Sequence, residues 1–146
     1  MTIYFYTTNQ PYGEFSNFSK HGVEFDGQWW RTTEHYFQAQ KFEEPEYREK
    51  IRLAHDAKTA ANLGRSRKVP LRADWEDVKD DVMRRAVMKK FSTHKALREL
   101  LLGTGDQPIV ENAPGDYYWG CGQDGSGLNR LGEILVEVRE ALRRED

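Results

Sequence analysis

Along most of the chain after residue 30, apolar residues recur every three to four positions. Alternation with polar residues is confined to short stretches. Leu131, Ile134, Leu135, Val138 and Leu142 form one stripe, which predicts a helix over residues 129–144 with one buried face. Trp75, Val78, Val82, Ala86 and Phe91 do the same for a long helix ending near Phe91, with Asp74 as its cap and Asp77 three positions on. Thr93 and Gly103 bracket a further helix through Leu102. Pro45 opens a helix over 46–54, and a shorter one over 58–63 ends at Gly64. Strand signals are few. Residues 3–6 and 108–111 read as strands, and Val23–Phe25 and Gln28–Trp30 flank Asp26-Gly27, a hairpin turn. No repeat, linker or low-complexity segment interrupts the pattern. The expectation is a compact α+β fold, predominantly helical, with a small N-terminal β-sheet and one domain over 1–146.

Composition narrows the function classes. Lys and Arg number 22 against 24 Asp and Glu, a net charge of −2, which argues against bulk, sequence-blind binding of nucleic acid. No apolar run reaches membrane-spanning length, and the first residues show no basic region followed by an apolar stretch. The lone Cys121 excludes an intramolecular disulfide. Together these lead to the expectation of a cytoplasmic protein without membrane partners. Of 18 aromatic residues, 13 fall within residues 1–47, many beside Gly, Asn, Ser, Glu or Gln. They suit an aromatic core, and some suit a stacking surface for a flat ring.

The densest chemistry lies in residues 31–42, Arg-Thr-Thr-Glu-His-Tyr-Phe-Gln-Ala-Gln-Lys-Phe. Read as a helix capped at Thr32 or Thr33, the stretch puts Glu34, Gln38 and Lys41 on one stripe. Glu34 and Lys41 then lie within about 20° of each other around the axis and roughly 10 Å apart along it. Phe37 and Phe42 flank them. A carboxylate and an amine framed by aromatics suit the wall of a pocket for a small polar ligand. A solvated Glu–Lys face on a packed helix is the plainer alternative. His35 projects about 100° away from Glu34 and reads as a packed, hydrogen-bonded histidine. The four histidines never pair at i, i+3 or i+4, so neither a metal site nor a cofactor is expected.

Three loops add candidates. Tyr12-Gly-Glu-Phe-Ser-Asn17 is either an ordinary turn or a grip on a sugar or base edge. Residues 115–129 hold five glycines and the run Tyr117-Tyr-Trp119, costly to order unless backbone must approach a ligand or take positive φ. This loop leads into a helix N-terminus, where free N–H groups favour an anion such as phosphate. It is not a Walker loop, since no Gly-Lys-Ser/Thr closes it. Residues 65–72 carry four cations and no acid, suiting either phosphate or solvent.

Several strings together resemble one family. Tyr-Gly-Glu-Phe-Ser-Asn-Phe (12–18), Thr-Glu-His-Tyr-Phe-Gln-Ala-Gln-Lys-Phe (33–42), Ala-Asn-Leu-Gly-Arg (61–65), Asp-Trp-Glu (74–76), Met-Arg-Arg-Ala (83–86), Lys-Phe (90–91) and Tyr-Trp-Gly…Gly-Leu-Asn-Arg-Leu-Gly (118–132) resemble the YbiA-like, or NADAR, family of N-glycosidases. The match runs in order over nearly the whole chain. The resemblance implies a YbiA-like fold and hydrolysis of the bond between a ribose anomeric carbon and an amino nitrogen. It implies two substrate classes. One is the phosphoribosylamino-pyrimidine intermediates of early riboflavin synthesis, destroyed as damage pre-emption. The other is ADP-ribose on guanine in DNA or RNA. A non-catalytic ADP-ribose or NAD-binding module is a third possibility. On the catalytic reading, Lys41 is the nucleophile, Glu34 the acid/base and Asp116 a second carboxylate. Trp75 or Trp119 would stack on the base. Tyr12, Gly13, Phe15, Ser16, Asn17 and Gln38 would hold base or ribose. Gly120, Asn129 and Arg65 would meet phosphate.

Overall fold

Most elements form within a residue or two of where their spacing places them. The computed structural model describes residues 1–145. In chain order the elements are β1 (Ile3–Phe5), β2 (Val23–Phe25), β3 (Gln28–Trp30), α1 (Thr33–Ala39), α2 (Pro45–Arg52), α3 (Ala57–Arg65), α4 (Trp75–Thr93), α5 (Lys95–Leu102), β4 (Ile109–Glu111) and α6 (Arg130–Glu145). This is the expected helix-dominated α+β class. The strands form two pairs, β1 with β4 and β2 with β3. The chain divides into two units, residues 20–90 and residues 1–19 together with the segment from Phe91 onward.

In the 20–90 unit, β2 and β3 form an antiparallel hairpin around Asp26 (φ 53°) and Gly27 (φ 82°). Both are left-handed, as a two-residue primed turn requires. Thr32 caps α1, its hydroxyl oxygen accepting from the His35 N–H at 3.1 Å. Glu44 and Asp56 cap α2 and α3 in the same way. Helices α2 and α3 both pack on α1. His35 is fully buried, with Nδ1 2.8 Å from the Thr32 hydroxyl and Nε2 3.0 Å from the Ala54 carbonyl, the packed role expected of it.

Four details depart from expectation. The first helix stops at Ala39 rather than running through Lys41. The Lys41 N–H bonds Gln38 O, three residues back, and the Lys41 carbonyl accepts from the Arg72 N–H at 2.8 Å. This tightened turn carries Phe42 into the core, where it is fully buried. Gly64 does not end α3, which continues to Arg65. A Cβ at position 64 would collide with Gln38 Oε1, so this glycine permits close helix packing rather than a stop. Thr93 caps nothing; it is the last residue of α4, and His94 precedes α5 without a side-chain cap bond. Asp74 turns its carboxylate to Arg72, which donates from Nε at 2.6 Å and Nη2 at 3.1 Å.

In the other unit, β1 pairs in parallel with β4, Ile3 opposite Ile109. Ile3 and Phe5 point inward and Tyr4 outward, the period of a half-buried strand. Helix α6 packs on β4 and on α5, burying the predicted stripe from Leu131 to Leu142. Phe15 meets Phe5 and Phe91 edge-on, with centroids 5.9 and 5.7 Å away. Buried Arg139 donates to Thr104 Oγ1 and the Gln107 carbonyl, tying α6 to the approach of β4.

Candidate active site

The 20–90 unit gathers Glu34, Gln38, Lys41, Arg65 and Trp75, which are scattered over 42 residues of sequence. Glu34 and Gln38 sit one turn apart on α1, and Gln38 Nε2 donates to Glu34 Oε2 at 2.6 Å. Lys41 Nζ lies 5.8 Å from the centroid of the Phe37 ring. Phe37 in turn meets Trp75 edge-on at 5.1 Å. Trp75 is 6% exposed, so it backs Phe37 from the core and presents no open face for stacking on a base.

The electrostatics of Lys41 are unusual for a lysine. Burial lowers its pKa from 10.5 to about 8, opposed by the negative charge of Glu34 and aided by Arg67, Arg65 and Lys79. Near neutral pH such an amine holds about two and a half powers of ten more free base than an ordinary lysine. The cations around it are themselves positioned. Arg67 donates from Nη1 to the carbonyls of Gly64 and Ser66, Arg65 donates to Asn62 Oδ1, and Lys79 pairs with Glu76. A half-buried amine with one adjacent carboxylate and a rim of three cations can attack an electrophilic carbon, exchange a proton and hold phosphate.

The remaining candidates lie in the other unit. Tyr12 adopts φ 62°, and its ring lies 5.4 Å from that of Phe15. Gly13 is required there, since an added Cβ would collide with the Thr8 carbonyl. Ser16 Oγ accepts from the Phe18 N–H, and Ser16 and Asn17 are both buried. Asp116 Oδ1 accepts from the N–H groups of Tyr118 (3.0 Å) and Trp119 (2.8 Å), so that oxygen shapes the loop.

At the start of α6, where a phosphate is expected, three N–H groups already have partners within the protein. The N–H groups of Asn129, Arg130 and Leu131 donate to the carbonyls of Gly120, Tyr118 and Trp119. The glycine-rich loop folds back on the helix N-terminus and occupies the donors an anion would use. Asn129 Oδ1 accepts from Glu111 N–H, and Nδ2 donates to the Ile109 carbonyl, both at 2.9 Å. Its amide bonds β4. Gly120 is packed closely, with the Ala113 Cβ 2.9 Å from where its own Cβ would stand.

Two neighbours of these side chains, Lys79 and Gly64, escape a reading of the sequence alone. Nothing local separates Lys79 from other surface cations, and Gly64 reads as a helix stop. The cation-rich loop after α3 is the only signal for Arg67. No spacing singles out Lys79. Among the described residues, no group of three or more His, Cys, Asp or Glu side chains is placed to hold a metal ion. No described helix is long and apolar enough to cross a membrane.

Known proteins resemble the chain along nearly all of its length. An N-glycosidase of Nostoc punctiforme, Npun_R5314, is 53% identical over 146 residues, covering 98% of this chain and 94% of that protein. The N-glycosidase YbiA of Escherichia coli K12 is 51% identical over 140 residues, 96% of this chain and 88% of that protein. The NMR structure of E. coli YbiA matches this fold with a TM-score of 0.92, at 50% identity, over 99% of this chain and 86% of that one. A riboflavin biosynthesis protein of Vibrio vulnificus, VVA0006, is 41% identical over 96% of this chain but only 38% of its own length. The description "NADAR domain" matches residues 4–143, and with these relatives it places the chain in the NADAR family.

Proposed function

We propose that this N-glycosidase releases the amino-pyrimidine from phosphoribosylamino-pyrimidine intermediates of early riboflavin synthesis, with Lys41 as nucleophile and Glu34 as proton carrier. One observation carries the reading: the Lys41 amine is half-buried against Phe37 beside Glu34, with a pKa of about 8. Only a free amine has the lone pair the reaction needs.

The chemistry balances without a cofactor. A ribosylamine opens its ring to an imine at C1. The Lys41 nitrogen adds to C1 and gives up a proton to Glu34. Glu34 returns that proton to the substrate nitrogen; as the C1–N bond breaks, a second proton leaves the Lys41 nitrogen by the same route, so the pyrimidine departs as a free amine. C1 remains bound to Lys41 as an imine. Water adds to it, and collapse of the adduct frees the sugar aldehyde and the amine. The net change is addition of water across the C–N bond.

The cationic rim of Arg65, Arg67 and Lys79 supports a substrate bearing phosphate. The riboflavin-related name of the Vibrio relative supports the pyrimidine class. The test is ribose 5-phosphate release from freshly generated phosphoribosylamino-pyrimidine, with wild type, Glu34→Gln and Lys41→Ala side by side. Fast release by wild type, lost in both variants, is expected. Efficient turnover by Lys41→Ala would sink the covalent route. No release by wild type would move the substrate to ADP-ribosylated guanine, assayed with the same three proteins.

A further inference from the structure

We infer that Gly64 is a positioning residue for the reaction: by lacking a side chain it lets α3 close on Gln38 and hold its amide with the N–H group on Glu34. The inference rests on Glu34 being the proton carrier proposed above.

Gln38 is 7% exposed, and its amide is bonded at one end only. Its Nε2 donates to Glu34 Oε2 at 2.6 Å, while its Oε1 is buried with no hydrogen-bond partner. One hydrogen bond does not fix a terminal amide in place. Steric confinement supplies the rest. The direction a Cβ would take from Gly64 runs into Gln38 Oε1, so at that point the glycine bears only a hydrogen, aimed at the oxygen. Reversing the amide would set Oε1 against the Glu34 carboxylate, oxygen against oxygen. The wall formed by Gly64 and the charge of Glu34 therefore select the same orientation.

An alanine at 64 would collide with Oε1 and stand 2.6 Å from Cδ and 3.0 Å from Cβ of Gln38. Because the crowding reaches back to Cβ, turning the amide alone does not relieve it. The side chain must shift, and its N–H leaves Glu34.

The experiment compares wild type, Gly64→Ala, Gln38→Ala, the double variant and Glu34→Gln, in turnover and thermal melting. The probe is phosphoribosylamino-pyrimidine, or ADP-ribosylated guanine if wild type turns over only that. Gly64→Ala should lose about 10- to 100-fold in kcat with KM changed less than about threefold, the pattern of a misplaced catalytic group. Gln38→Ala should show the same loss. The double variant should regain most of the melting temperature that Gly64→Ala loses, because the contacts with Oε1 and Cδ are gone and only the 3.0 Å approach to Cβ remains, yet stay as slow as Gln38→Ala. Wild-type kcat in a folded Gly64→Ala, or recovery of kcat together with stability in the double variant, would overturn the inference. If Gly64→Ala does not fold, undiminished kcat in Gln38→Ala overturns it instead. An active Glu34→Gln would remove the underlying reading; an inactive one beside a fully active Gly64→Ala removes the positioning role alone.

Discussion

The Lys41 amine stands 5.8 Å from the centre of the Phe37 ring, at the outer edge of cation–π range. At that distance the ring attracts the ammonium weakly, and the loss of water dominates, lowering the pKa to about 8. Trapping of a sugar adduct on Lys41 by borohydride should therefore rise about tenfold between pH 7 and pH 9 and level off above that, in step with the free-amine fraction. Mass spectrometry of the trapped protein measures it. A yield flat over this range would argue against amine deprotonation as the control.

The same burial should cost stability. Unfolded, Lys41 keeps its proton to about pH 10.4; folded, it releases it near 8. The penalty is in full force below pH 8 and fades as pH rises toward 10.4. Lys41→Met should be more stable than wild type at pH 7 by about 1–2 kcal/mol, the larger nominal figure being reduced for partial exposure. Urea unfolding at pH 7 and pH 10 should show that advantage shrinking, while activity is lost at both.

His35 carries the opposite practical consequence. The Ala54 carbonyl can only accept, so His35 Nε2 bears the hydrogen and Nδ1 accepts from the Thr32 hydroxyl. Burial lowers the pKa of this imidazole, so the folded state binds its proton less readily than the unfolded chain. Stability contributed by the neutral ring is present above about pH 6.5 and is lost as pH falls below it toward the lower folded value. His35→Gln should be less stable at pH 7 but lose less on going from pH 7 to pH 5. Parallel losses in the two proteins would refute this.

Asn129 holds the glycine-rich loop to β4 through two hydrogen bonds and sits at φ 53°. Asn129→Ala removes two hydrogen bonds to β4 and places alanine in the left-handed region. It should cost about 3 kcal/mol in urea unfolding. Asn129→Asp, which keeps the acceptor and loses the donor, should fall between. Equal stability of all three would mean that the loop is held elsewhere.

Periodicity and local chemistry determined the elements of this protein, because apolar stripes, capping residues and turn dipeptides act over a few residues. The α6 stripe, the Thr32 cap and the Asp26-Gly27 hairpin all form as read. The stretch from Glu34 to Lys41 was legible for the same reason, since its members lie within two turns of chain. Tertiary structure decided what depends on distant partners. Whether Lys41 remains in the helix depends on the bond from Arg72 and the burial of Phe42. Whether Gly64 ends a helix or admits a neighbour depends on Gln38, 26 positions earlier in the sequence. The donors at the start of α6 bind their own loop instead of an anion because that loop folds back over them. A side chain's pKa, and a backbone N–H group's availability, are set by what surrounds it in space; the sequence names those neighbours without saying that they meet.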